Sequence, residues 1–384
     1  MDSRLRGNDG ISIAGYLEEN AMTIRSITSI ALDLPFEVGG PKSQFAGRPR
    51  RMAMLLTRVE TEDGVVGWGD AFGYAVWPAT RVALEKLVAP MAIGRNEDDI
   101  AALMDDLQRK LHIVGRTGPV VYALSGLDIA LWDIAGKKAC KSVSALLGGA
   151  RRASVPTYAS LVRYGDAGLV TKNAKAAVAR GFKAIKLHEI TVTEVKAARE
   201  AVGPDIQIMM DTNCPWTVDE ALAVARQVKP YNLLWLEEPV FPPEDFKALA
   251  RVRREGGIAV SAGENAMSPT DFRAMFEAGA VDYAQPSVTK IGGISEMMRI
   301  YTLALEHGVT LVPHSPYFGP GLLASIHMAA TFERETMVEY SFIELGASPM
   351  GDAIAVNDGR ITVPAGPGLG RDPDAEMIAR YKVN

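Results

Sequence analysis

Five polar landmarks in the 384-residue chain could do chemistry together. They are the Lys186-Leu187-His188 tripeptide in FKAIKLH, Asp211 in IMMDTN, Glu237 in LLWLEEP, Glu264 in AVSAGEN and His314 in TLVPHS, each closing a short apolar run. Lys186 and Asp211 lie 25 residues apart, Asp211 and Glu237 26, and Glu237 and Glu264 27. Glu264 and His314 lie 50 apart, two such steps with the apolar run VDYAQPS between them. One acidic residue at a strand end is as readily a helix cap or a surface charge. Three at one-repeat intervals point instead to a shared site, where buried carboxylates repel strongly unless a cation joins them. A hard divalent ion with oxygen ligands, able to keep waters and one substrate oxygen, fits that set, and Mg²⁺ is the expected metal. A carboxylate substrate would add negative charge, so Lys186, and Lys290 in TKIGG, are expected to supply the balancing ammonium groups.

The spacing dictates the elements that must carry these residues. Each step holds one strand and one amphipathic helix, which is wound β/α architecture. In a parallel β/α barrel the C-terminal strand ends converge on one mouth, where the five landmarks would meet. Period-2 alternation puts Lys186 and His188 on one face with Ala184 and turns Ile185 and Leu187 toward the helix layer. Asp211 and Asn213 share a face in the same way, opposite Ile206, Ile208 and Met210. Counting from VPTYASL to VEYSF gives eight strands. Thr217 and Ser268 stand where helix caps belong.

Upstream, residues 23–35 and 51–70 read as strands, the latter a hairpin about a Glu-Asp-Gly turn, and residues 79–147 read as helices. Two loops, EVGGPKSQFAGRPRR and GDAFGYAVWPAT, have the composition of a lid, so Arg48, Arg50, Arg51, Tyr74 and Trp77 are candidates to read the distal end of a substrate. Residues 1–21 lack a signal-peptide pattern and are expected to be a disordered extension. The expected division is then 22–147 for an α+β domain, 148–344 for the barrel, and 345–384 for a tail that returns to the first domain.

Hydrophobic content of 48% and charged content of 23% are those of an ordinary globular chain. A net charge of −5 without a basic block argues against a nucleic-acid surface. No apolar run is read as long enough for a bilayer. Two distant cysteines, Cys140 and Cys214, read as free thiols in a reducing cytoplasm. The expected partner is a small-molecule carboxylate, and the expected assembly a homo-oligomer.

The motifs KLH, MDTN, WLEEP, AGEN, KIGG, VPH and VEY, with GWGDA, ALSGLDIALWDIAGK and PAGPGLG, resemble the enolase superfamily in its mandelate racemase-like subgroup. The resemblance runs from Met22 onward. It implies an α/β fold, a modified (β/α)7-8 TIM-like barrel with an α+β capping domain built from both chain ends. It also implies Mg²⁺ held at Asp211, Glu237 and Glu264, and abstraction of the proton α to a carboxylate through an ene-diolate. In such a site Lys186 would hold the carboxylate and His188, where the family commonly has lysine, would be the base, kept neutral by the ammonium and the metal. His314 matches the seventh-strand histidine, but alignment on KIGG puts Ser287 where the family has its aspartate partner. Glu339 matches a carboxylate that hydrogen-bonds the bound substrate, and Asn213, Glu238 and Lys290 would orient the ligands.

Two histidines about an α-hydroxy acid permit two outcomes. If His188 removes the α-proton and His314 protonates a β-hydroxyl, a sugar acid is dehydrated to a 2-keto-3-deoxy acid. If His314 reprotonates the α-carbon, the outcome is racemisation or epimerisation. Dehydration is the preferred expectation, because Ser287 weakens one of the two bases a racemase needs. A lactonising cycloisomerase and a catalytically silent acid binder are the remaining readings.

Overall fold

The structure, a computed structural model, describes residues 23–40 and 51–384. The extension expected at 1–21 and the lid candidates Arg48 and Arg50 lie outside the described residues. The first part is an antiparallel sheet of β1 (Ile24–Glu37), β2 (Arg51–Thr61) and β3 (Val66–Ala71). The β2–β3 turn uses Gly64 at φ +83°, a conformation that costs glycine little.

One helix, Pro119–Lys138, lies directly on β3. A Cβ at Gly69 would stand 1.8 Å from the Gly126 carbonyl oxygen, and one at Gly67 2.2 Å from that of Ala130, so only glycine admits so close a backbone. This helix is long and apolar enough to cross a membrane by length and composition alone, which corrects the expectation that no run qualifies. The reason is its position: 83% of its most apolar window is buried between sheet and barrel.

From Ser154 the chain alternates strand and helix. The strands are β4 (Ser154–Leu161), β5 (Ala184–Leu187), β6 (Gln207–Asp211), β7 (Leu236–Glu237), β8 (Val260–Ala262), β9 (Tyr283–Ala284), β10 (Thr310–Leu311) and β11 (Val338–Ser341). Parallel pairing runs unbroken from β4 to β10, and β11 pairs parallel with β4. Backbone donation from Glu339 to Pro313 at 3.4 Å links β11 to the β10 end and closes the circle. Helix starts are fixed locally. Thr217 and Glu220 form a reciprocal capping box, and the Ser268 hydroxyl accepts from the Asp271 backbone.

Alternation along the strands separates two layers. Ile185, Leu187, Ile208 and Met210 pack outward with Val170, Ala174 and Ala177 of the helix that follows β4. Tyr158, Ala184, Met209, Trp235 and Val312 fill the barrel interior. Each large apolar side chain buried there contributes roughly 1.5–3 kcal/mol. The polar landmarks sit one pleat above this plug, at the mouth.

The tail after β11 divides. β12 (Glu344–Leu345) and β15 (Lys382–Val383) both pair antiparallel with β1, so the capping sheet is built from both ends of the chain. Between them, β13 (Val356–Asn357) and β14 (Arg360–Thr362) form a hairpin that pairs antiparallel with β4 of the barrel. The architecture is a β/α barrel under an α+β cap.

Candidate active site

Asp211 and Glu237 end neighbouring strands in register, and Glu264 lies two residues beyond β8. One ligand oxygen from each can be chosen so that all lie within 4.8 Å of one another. A hard divalent ion taking an oxygen from each of Asp211, Glu237 and Glu264 would offset their mutual repulsion. Asp211 Oδ2 supports that fit. It is buried and, among the described residues, accepts no aligned hydrogen bond, although Lys186 Nζ at 3.0 Å and His188 Nε2 at 3.1 Å stand within ion-pair distance. The other oxygen is spoken for: Asn213, at φ +54°, turns both its backbone N–H (3.1 Å) and its amide (3.0 Å) onto Asp211 Oδ1. Asn213, Cys214 and Glu238 all hold positive φ at this rim, local strain of the kind that collects at functional sites.

Lys186 is fully buried, with Nζ 2.8 Å from Glu237, 3.0 Å from Asp211 and 3.0 Å from Glu339. Burial alone would lower its pKa, but Glu237, Glu339 and Asp211 outweigh that and hold it well above the ordinary value. Among the carboxylates, burial and then the Asp211 charge push Glu237 up, whereas Lys186 and His188 overcome burial to hold Asp211 down. Trp235 Nε1 donates to Glu237 Oε2 at 2.7 Å from one turn of the pleat below. Glu238 is also pushed well up, by burial and then by Glu264 and Asp211, and its two carboxylate oxygens accept from Asn265 Nδ2 at 2.9 and 3.0 Å. Lys290 lowers both Glu238 and Glu264 and lies 5.1 Å from the Phe72 ring centre.

His188 is oriented by its own barrel. Nδ1 lies 2.5 Å from the Leu161 carbonyl, which can only accept, so Nδ1 carries the proton and Nε2 faces Asp211. The expectation is that the ammonium and the metal together keep this ring neutral, and the ammonium does act in that direction. Burial and Lys186 do lower it, but Asp211 outweighs them and raises it. A cation taking up the Asp211 charge would remove that bias.

His314 places Nε2 2.9 Å from Glu264 Oε2 and 3.7 Å from Glu339 Oε2. Against burial, His314 and Lys290 hold the Glu264 carboxyl down at about 2. His314 Nδ1 meets the Ser287 hydroxyl at 3.2 Å, and Ser287 in turn meets the Tyr317 hydroxyl. Glu339 accepts from the Ser315 backbone at 3.2 Å, and Lys186 and His314 overcome its burial to keep it ionised.

Above these groups lies a cavity of about 310 Å³. His188, Asn213, Glu264, Lys290, His314 and Glu339 reach its lining, with Phe36, Met52, Phe72, Val162 and Ile343 among the apolar walls. Of the described lid candidates, Arg51 and Tyr74 line it. Arg51 is tethered to Asp33, and Tyr74 donates to the Pro316 carbonyl at 2.7 Å. Trp77 does not line it. It begins the Trp77–Ala83 helix and packs on Ala31, Leu55 and Ala71 with Arg81 over its ring, because this end of its loop turns into helix on the outside of the cap.

Two residues were not singled out from sequence. Arg163 ties three strand ends together, donating to the carbonyls of His188 (2.5 Å) and Thr212 (3.2 Å) and to Asn213 Oδ1 (3.1 Å). Tyr317 sits three residues beyond His314 in a loop without periodicity, so no pattern marks it.

A model described as enolase C-terminal domain-like matches residues 169–377, and one for the mandelate racemase / muconate lactonizing enzyme N-terminal domain matches 43–148. The chain is 34% identical over 375 residues to D-galactarolactone cycloisomerase of Agrobacterium fabrum, covering 92% of this chain and 96% of that one. It is 33% identical over 342 residues to arabinonate dehydratase of Saccharolobus solfataricus, covering 86% and 91%. A racemase from Streptomyces coelicolor A3(2), solved with bound magnesium, superposes with a TM-score of 0.84 at 27% identity, covering 94% of this chain and all of that one. Its fold, its carboxylate set and these matches place the chain in the enolase superfamily, in the mandelate racemase / muconate lactonizing enzyme group.

Proposed function

We propose that the protein is a Mg²⁺-dependent lyase that dehydrates a sugar acid bearing α- and β-hydroxyls to a 2-keto-3-deoxy acid. The observation that carries this reading is the pair of histidines at one cavity, one locked with its free nitrogen beside the Asp211–Lys186 cluster and one across the mouth on the seventh strand. Asp211, Glu237 and Glu264 would hold one ion per subunit, which when bound would draw electron density from the substrate carboxylate as its α-proton leaves.

The chain's own groups do the rest. The buried Lys186 ammonium offsets the substrate carboxylate's charge. His188 Nε2 takes the α-proton while Nδ1–H stays on the Leu161 carbonyl. The carbon–oxygen bond at the β-position then breaks, and the departing oxygen takes a proton from His314 Nε2 and leaves as water. The enol that remains tautomerises to the keto acid.

A second reading follows from the likeness to a cycloisomerase. If the β-oxygen belongs to a ring, the same elimination opens the ring and releases no water. Incubation with a library of sugar acids and their lactones in deuterated water, with Mg²⁺, separates the cases. His188→Ala is expected to lose α-exchange by about a thousandfold. His314→Asn is expected to keep exchange and lose keto-acid formation. A keto acid isomeric with its cyclic substrate, apart from the deuterium it takes up, would select the cycloisomerase, exchange without any keto acid would select a racemase or epimerase, and absence of exchange with every acid would leave only a silent binder.

A further inference from the structure

Asp211 is held by Asn213, and Asn213 is in turn held by Arg163. We propose that Arg163 is a positioning residue for Mg²⁺ binding, fixing Asn213 so that Asp211 keeps one oxygen occupied and offers the other to the ion. The inference rests on the reading that Asp211 is a metal ligand.

The direction of each contact follows from the donors available. A guanidinium carries donors only, so the atom that Asn213 turns toward Arg163 Nη2, at 3.1 Å, must be its amide oxygen. The ionised Asp211 carboxylate only accepts, so the atom 3.0 Å from its Oδ1 must be the amide nitrogen. Both neighbours therefore impose the same orientation on the Asn213 side chain. The backbone is fixed in the same way. Arg163 Nη2 carries a second hydrogen, and the Thr212 carbonyl accepts it at 3.2 Å. On the other edge of that peptide the Asn213 N–H donates to Asp211 Oδ1 at 3.1 Å. The peptide held at both edges leads directly into Asn213 at φ +54°, a conformation that side-chain-bearing residues adopt uncommonly.

Arg163 is itself well anchored. Its Nε donates to the His188 carbonyl at 2.5 Å, and the Leu161 carbonyl of the same strand end meets the His188 ring. The next two backbone N–H groups, of Tyr164 (2.7 Å) and Gly165 (3.1 Å), donate to Glu189, a carboxylate only 2% exposed. The ends of β4 and β5 are thus laced in both directions, and Arg163 extends the lacing to β6. It is not among the described residues that line the cavity, so its route to the metal site runs through Asn213. The rigid fork of a guanidinium is what lets one side chain serve three acceptors on two strand ends, which a single ammonium nitrogen does not reproduce.

Magnesium affinity of the full chain, read by titration calorimetry with Mg²⁺ alone, tests this without any substrate. Arg163→Met keeps the side chain's stem and removes every donor. It is expected to weaken Mg²⁺ binding about tenfold, the lower end of the cost of losing a group that orients a metal ligand. Added to Asn213→Ala it should cost little more, because the amide it acts through is already gone. Urea unfolding of the metal-free proteins separates a merely structural role, which would lower stability and leave the affinity of the folded protein unchanged. Wild-type affinity in folded Arg163→Met would overturn the proposal, and so would losses that multiply in the double variant. Should Arg163→Met not fold, Arg163→Lys takes its place in the same set. It is expected to lose affinity several-fold, and wild-type affinity there would overturn the proposal equally. A wild-type protein that takes up no Mg²⁺ would bring down the metal reading and the proposal with it, whereas wild-type uptake matched by the variants would bring down the proposal alone.

Discussion

At the scale of single residues, the site is held by backbone conformation as much as by side chains. Asn213 reaches Asp211 through both of its donors only because it adopts φ +54°. Asn213→Ala is therefore expected to weaken Mg²⁺ binding about 10–100-fold, the usual cost of losing a group that orients a ligand. Titration calorimetry reads it directly, and an unchanged affinity would mean that Asp211 needs no such tether. The carboxylates and the two histidines were legible in the sequence because each closes an apolar run at a near-constant interval. Their partners were not. Leu161 and Arg163 act on His188 and Asn213 through a carbonyl and a guanidinium at the end of another strand, and neither spacing nor residue type signals that contact. Ser287 could be found by alignment on KIGG, but its meaning depends on Tyr317, which only folding brings to it.

At the scale of elements, the helix Pro320–Thr331 shows what periodicity misses and what burial does to charge. It is buried all round, so it has no polar face and no amphipathic repeat to read. Its first turn carries Gly321, whose N–H donates to Asp70 of β3 at 3.4 Å. Burial outweighs that bond and pushes Asp70 up to about 7. Unfolded, the same carboxyl titrates near about 4. Between those values the folded chain holds a proton that the unfolded chain has lost, so stability falls as pH rises through this window, by at most roughly 1.4 kcal/mol per unit. Below the window both states are protonated, and above it neither is. Urea unfolding from pH 4 to 8 should show wild type losing stability relative to Asp70→Asn, and parallel curves would count against the burial argument. The barrel strands were easier. Even β7, β9 and β10, two residues each, were marked by their apolar runs, because parallel strands buried on both faces read as continuous hydrophobic stretches. The β13–β14 hairpin, which joins β4 from the far end of the chain, left only a strand-and-turn signature with no indication of its partner.

At the scale of the whole molecule, one helix connects the two parts. Pro119–Lys138 carries β3 on its glycine-lined side and turns Ser125, Asp128 and Trp132 toward the barrel segment that follows Lys290. Ser125 Oγ accepts from Gly292 N at 2.8 Å, Asp128 accepts from the Ser295 backbone (3.1 Å) and hydroxyl (2.5 Å), and Trp132 donates to the same hydroxyl at 3.0 Å. Asp128 thus caps the barrel helix Gly293–Glu306 from another domain, satisfying an N-terminal donor that Gly292, without a side chain, cannot. A cap that loosened would leave that helix end without its cap and disturb Lys290 two residues away, so cap and barrel should unfold together. Tryptophans report on each separately, with Trp68, Trp77 and Trp132 in the cap and Trp216 and Trp235 in the barrel. Single-tryptophan proteins from either part are expected to share one denaturation midpoint, and Asp128→Ala should lower both equally, by about 1–3 kcal/mol for the buried donors left unpaired. Midpoints that separate, or a loss confined to the cap, would show instead that the two parts are stable on their own and that the helix joins them without coupling them.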